Sequence, residues 1–212
     1  MCLKKFFQSI LKGVFAFSSI SMITGCAGFG VLESSDPMVK LNDAEHLFRV
    51  QDRPLIAERL IREAMEIYVK RDDPVGIGHA NREYADLLLS PSVVSKWSNF
   101  YMKNGFLDKD VTYENRIEKS KEYYLKALSY YSRAALELAQ VEKYDALTNV
   151  YFNMGWSFYR LNNLVDACQF YDKAIGANAE YLKRNPDTKD DAPIRTVEAF
   201  MRARKKEAAC VG

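Results

Sequence analysis

A handful of small and aromatic residues at fixed intervals constrains this chain more than anything else in it. Gly155 is followed twelve positions on by Ala167, then by Tyr171, Ala174 and Ala179. Two antiparallel helices approach closely only where one presents a small residue to the other, so Gly155 and Ala167 mark a close crossing. Tyr151, Met154, Phe158 and Tyr171 fill the volume around it, and Asn162-Asn163 supplies a tight turn between the two helices. The order of small residue, aromatic and Ala recurs at Ser120, Tyr124 and Ala127, and more loosely at Ala57, Ile61 and Ala64. Each recurrence has a helix before it. One runs through Ala80, Tyr84, Ala85 and Leu88, with Asp73 to cap it and Pro74 at its first position. The other runs through Ala44, Leu47 and Phe48. Between Asn115 and Met154 there is neither Gly nor Pro, and the alternation of a strand is missing.

The stretch 148–181 resembles a tetratricopeptide (TPR) repeat in spacing and residue class over its full 34-residue length. The resemblance implies an all-α fold: an antiparallel helix-pair superhelical stack of about three repeats, at about 38–72, 74–143 and 145–181. In the middle unit Ala85 and Ser120 stand 35 residues apart where the last unit has 12, so an insertion at about 90–113 parts its two helices. A capping helix at about 190–208 closes the domain, with Ile194, Val197, Phe200 and Met201 inward and basic residues outward. A stack needs such an amphipathic cover on its last open face.

The N-terminus reads differently. Residues 1–12 carry Lys4, Lys5 and Lys12 with no acid, and a twelve-residue apolar run follows at 13–24. A spanning helix needs about 20 apolar residues, so the order basic, apolar, small is that of an export signal. Ile23-Thr24-Gly25-Cys26 resembles the lipobox of bacterial lipoproteins. That resemblance implies removal of 1–25, a diacylglycerol thioether and an added acyl chain such as palmitate on Cys26, and a flexible tether at 26–37 before the helical domain at 38–212. Two or more acyl chains anchor stably. Ala27 rather than Asp after the cysteine implies the outer membrane, facing the periplasm. Loss of the three lysines takes the formal charge from +2 to −1. There is no basic stripe, RNA-binding aromatic motif or zinc-finger spacing, so nucleic acid is not an expected partner.

Two cysteines remain in the helical domain. Cys168 and Cys210 are either bridged, stapling the cap to the stack, or Cys168 is a buried free thiol. No C-x-x-C, H-E-x-x-H, G-x-S-x-G or phosphate-binding glycine loop occurs, so the sequence suggests no metal, no cofactor and no enzyme. His79 and Glu83, at helical i, i+4 spacing, read as a surface or groove pair rather than an acid–base couple.

In TPR proteins the first helix of each pair lines a concave face that binds peptides or partner helices. The resemblance places Glu45 and Arg49, then His79, Arg82 and Asp86, then Asn149, Phe152, Asn153, Trp156 and Arg160 on that face. The regular Lys/Asn set of TPRs that bind C-terminal carboxylates is missing. Trp156 could instead pack on the closing helix or a neighbouring repeat. The insertion carries Trp97, Phe100, Tyr101 and Phe106, which either pack onto their own domain or form an exposed patch for a partner or membrane. The implied function is adaptor or assembly factor for a protein in an envelope, secretion or pilus machine, an architecture similar to pilotins of type IV pilus secretins and to the TPR lipoprotein of outer-membrane protein assembly. Two alternatives are an immunity or inhibitor lipoprotein against a periplasmic toxin, and an accessory subunit of a cell-wall enzyme.

Overall fold

The computed structural model describes residues 34–188 and 192–210, and every described element is a helix. The segment 1–25, Cys26 and most of the tether lie outside the described residues, as do the side chains of Ile194 and Val197. Eight α-helices follow in order: α1 (Pro37–Arg49), α2 (Pro54–Lys70), α3 (Pro74–Leu88), α4 (Ser98–Asn104), α5 (Arg116–Gln140), α6 (Tyr144–Arg160), α7 (Leu164–Arg184) and α8 (Ala192–Glu207). A single π-helical turn, Ser92–Lys96, precedes α4.

Local chemistry sets the helix starts. Pro opens α1, α2 and α3, where its fixed φ suits the first turn and no N–H is missed. Asp36 and Asp73 accept from Met38 N–H at 2.8 Å and Gly76 N–H at 3.0 Å, satisfying backbone donors that a helix leaves unpaired. Four short joints repeat one device, a left-handed residue: Asp52 (φ 53°), Asp72 (47°), Glu142 (55°) and Asn162 (60°). After three of them the next residue's N–H returns to the carbonyl five residues back: Asp73 to Tyr68, Lys143 to Leu138, Asn163 to Phe158, at 3.1, 3.0 and 2.9 Å. That is the Schellman closure of a helix end. After Gly, short polar Asp and Asn tolerate the left-handed basin best.

α1 packs on α2, α3 on α5, and α6 on α7, and the three pairs stack in chain order. The first helices, α1, α3 and α6, become neighbours along one face. The crossings sit where the small residues are. Ala57, Ala85, Ala127, Ala167 and Ala174 are fully buried. A Cβ on Gly155 would lie 2.6 Å from the Tyr171 ring and 3.2 Å from the Ala167 carbonyl. Gly78 meets Tyr131 in the same way, at 2.6 Å, a second close approach that the repeat spacing did not reveal. One position of the spacing pattern lies outside the core. Ala179 faces solvent, because five residues beyond Ala174 is well off the buried stripe, which continues through Ala177 and Asn178 instead.

The excursion between α3 and α5 also departs from one reading. Tyr101 (1 % exposed) and Phe106 (2 %) are interior, their rings stacked at 4.2 Å, and Val93 and Val111 are buried with them. They are therefore not surface residues. Three polar ties hold the excursion to the first helix pair, one of them an ion pair between Lys96 and Asp52. Trp97 Nε1–H donates to the Asp52 carbonyl at 2.8 Å, and Leu107 N–H donates to Glu58 Oε1 at 2.7 Å. Glu58, itself buried, also accepts from Tyr84 O–H at 2.9 Å. Of the aromatic set only Phe100, 38 % exposed, remains outward, with Trp97 half-buried.

α8 lies against α7, burying Met201 and Ala208. A Cys168–Cys210 disulfide, with Cα atoms 5.6 Å apart, joins the end of this helix to α7. Lys205 Nζ reaches Asp172 at 2.5 Å beside it.

Candidate functional site

Asp86 is the hub of the α1–α3–α6 face. Its side chain is 1 % exposed, yet five donors from four helices converge on it. Trp156 Nε1–H donates to Oδ2 at 3.1 Å, and Tyr124 O–H to Oδ1 at 2.5 Å. Three guanidinium groups complete the set: Arg82 at 3.2 Å, Arg49 at 3.3 Å and Arg160 at 3.5 Å. A buried carboxylate is tolerated when its lone pairs are filled and its charge is matched. Here that requirement fixes three arginines, one from each first helix, into a single cluster. Arg49 also pairs with Glu45 at 2.9 Å, and Arg160 Nε donates to the Tyr124 hydroxyl oxygen at 2.9 Å.

Above this cluster runs a groove of two contiguous cavities. The larger, about 340 Å³, is lined by Glu45, Arg49, Arg82, Phe152, Asn153 and Trp156 from the stack and by Phe200 and Arg204 from α8. The second, about 290 Å³, shares Glu45, Arg82, Phe152 and Asn153 and adds His79, Glu83 and Asn149 with Met38, Leu41 and Asn42. Eight of the ten positions expected on the concave face thus line one groove, and the other two, Asp86 and Arg160, sit in the cluster beneath it. Trp156 both bonds back to α3 and presents its ring, with the Arg160 and Arg204 guanidinium carbons 5.7 and 4.9 Å from its centre. Arg204 also pairs with Glu207 at 2.6 Å, and Phe200 is 46 % exposed at the groove wall.

Of the two placements expected for His79 and Glu83, surface or groove, both residues take the groove: they are buried, line its second cavity and engage different partners. His79 Nδ1 hydrogen-bonds the Tyr131 hydroxyl at 2.8 Å. Burial, helped by nearby Arg82, lowers its pKa to about 3, so the ring stays neutral near pH 7. Glu83 is 3 % exposed, and its Oε1 pairs with Arg82 while Oε2 has no hydrogen-bond partner. Burial, reinforced by Glu45 and Asp86 and opposed by Arg82, pushes its pKa up to about 7. No group of three or more His, Cys, Asp or Glu among the described residues is arranged to hold a metal.

The resemblance to TPR proteins placed Glu45, Arg49, His79, Arg82, Asn149, Phe152, Asn153 and Trp156 here; it did not include Met38, Leu41 and Asn42 of α1, and it missed Phe200 and Arg204. Those reach the groove through the docking of α8, for which the local sequence carries no signal beyond an amphipathic pattern. No family model, no curated protein and no solved structure matches this chain, so its functional reading rests on these residues and their geometry.

Proposed function

We propose that this chain is a TPR-like lipoprotein of the bacterial outer membrane, anchored through Cys26, that binds a protein partner in the groove and acts as an adaptor or assembly factor without catalysis of its own. The observation that carries the binding reading is the Asp86 cluster. Arginines and a tryptophan, the residues most often found as interface hot spots, stand at the groove already locked in place by a buried carboxylate. Side chains ordered before binding lose less entropy on binding. Partly exposed Phe152, Trp156 and Phe200 supply apolar area between the charges.

The test is capture from detergent-solubilised envelopes with the acylated protein as bait. The wild type should retain a stoichiometric protein, and Phe200→Ser/Arg204→Ala, which changes only the outer wall, should lose it with melting unchanged. Recovery of no stoichiometric partner, or undiminished capture by the double variant, would sink the reading. A toxin or a cell-wall enzyme as the captured protein would assign the chain to immunity or to an accessory role. Palmitate labelling tests the anchor separately: Cys26→Ser should abolish it, and normal labelling would refute the assignment.

A further inference from the structure

We propose that the cavity where α1, α3 and α6 meet is a subsite for a primary ammonium group, the side chain of a lysine on the bound partner segment, received between Glu83 and Glu45. The proposal deepens the groove reading and rests on it.

The starting observation is an incomplete pairing. Glu83 is buried and lines the 290 Å³ cavity, one carboxylate oxygen is held by Arg82, and the other has no partner. A buried carboxylate oxygen left unpaired carries its full desolvation cost. Two things remove that cost, a proton or a cation that can donate hydrogen bonds. Among the described residues no such cation is free at the cavity. Arg82 is committed to Glu83 and Asp86, and its own Nε is buried without a partner. Arg49, the other cation felt by Glu83, is committed to Glu45 and Asp86. On the same helix His79 is neutral and turned to Tyr131 of α5, and α6 brings only Asn149, Phe152 and Asn153 to the cavity. Within the lining itself two carboxylates, Glu45 and Glu83, face one arginine.

An ammonium group suits this gap. It is a compact point charge with three donors and needs no planar slot. Its aliphatic stem would lie along Leu41, Met38 and Phe152, as long basic side chains do on apolar surface. The cation also competes with the proton. Glu83 titrates near 7 in the free protein, so the ammonium binds the ionised form and expels the proton. Affinity should therefore rise about tenfold between about pH 6 and 8, and Glu83's own titration should move down by about one unit or more at saturation.

The experiment follows the glutamate side-chain carboxyl ¹³C signals of the full chain in detergent. The Glu83 signal is assigned by its loss in Glu83→Gln. The probes are Nα-acetyl-lysine methylamide and its isostere without the charge, Nα-acetyl-norleucine methylamide. The lysine probe should lower the Glu83 titration and bind about tenfold tighter at the higher pH, and the norleucine probe should do neither. Glu45→Gln should weaken the lysine probe and move its pH midpoint down, because the Glu45 charge helps to raise the Glu83 pKa. Equal binding of the two probes, or lysine binding without pH dependence, would overturn the proposal and leave Glu83 as a structural acid carrying a proton. The wild-type titration alone decides this even if the Glu83 variant folds poorly. Partner capture through the groove combined with an inert lysine probe defeats the subsite alone. A responsive lysine probe without partner capture defeats the adaptor reading alone.

Discussion

Replacing Asp86 with Asn tests whether the groove is organised by one charge. The amide keeps the size of the carboxylate and offers one acceptor oxygen, so Tyr124 or Trp156 can keep a bond. It removes a charge shared by Arg49, Arg82 and Arg160, and it turns an N–H₂ group towards donors. Breaking a buried ion pair from one side costs about 3–5 kcal/mol. Arg49 and Arg160 are partly exposed, so water screens some of the excess positive charge and the lower end applies, about 3 kcal/mol. For a domain of this size that corresponds to a fall in Tm of roughly 6–12 °C. Urea denaturation at constant m-value measures the loss. In a Trp97→Phe background the remaining indole, Trp156, should report its lost bond as altered native-state emission. Because the damage is uncompensated charge, Arg160→Met added to Asp86→Asn should cost less than the sum of the two changes, by more than about 0.5 kcal/mol. A loss under about 1 kcal/mol with strict additivity would refute the reasoning, since Asp86 would then be one hydrogen-bonded residue among many.

Other substitutions probe other parts of the argument. Gly155→Ala should destabilise by about 1–3 kcal/mol despite the better helix propensity of Ala, because the Tyr171 ring and the Ala167 backbone occupy the methyl's place. Gly176→Ala, with nothing within 4 Å, should instead gain about 0.5–1 kcal/mol, and chemical denaturation of the pair checks both signs. Phe106→Ala should cost about 3–5 kcal/mol while Phe100→Ala stays under about 1, which separates interior from surface in the excursion. Cys210→Ser, or reduction, opens a bridge across 42 residues and should cost about 4 kcal/mol in the chain-entropy account, with a 2 Da mass change on reduction of the native protein. The two buried ionisable groups should pull the pH profile in opposite directions. The folded pKa of Glu83 is raised from 4.5 to about 7, so its contribution is present at low pH and is lost as pH rises through that window. The folded pKa of His79 is lowered from 6.5 to about 3, so its stability is lost as pH falls through that window. Glu83→Gln should therefore remove a stability loss on the neutral side, of up to about 1.4 kcal/mol per pH unit, read from denaturation midpoints at several pH values.

What was legible in the sequence was what repeat spacing and side-chain volume determine, together with what the resemblance to TPR proteins implies for the first helix of each pair. Ala57, Ala85, Ala167 and Tyr171 are buried where spacing placed them, and Arg49, Arg82, Asp86 and Trp156 face one another because each lies on the same side of the first helix of a pair. What was not legible depends on contacts between distant segments. Glu58 reaches the excursion across 49 residues, and Arg204 reaches Trp156 only because α8 folds back onto α7. The burial of Tyr101 and Phe106 belongs to the same class: a short aromatic stretch looks alike whether it covers its own core or another molecule. Glu83 was visible as a partner for His79 at helical spacing, but its unpaired oxygen exists only in the packed stack.

The bond between Cys168 and Cys210 changes how this molecule carries force. Tension entering at residue 210 passes straight into α7 through a covalent link and bypasses the whole segment between the two cysteines. α8 is left slack under such a load, and with it Phe200 and Arg204 at the groove wall. A pull that would peel the last helix away from a reduced chain would, in the oxidised one, be borne by the stack while the groove keeps its shape.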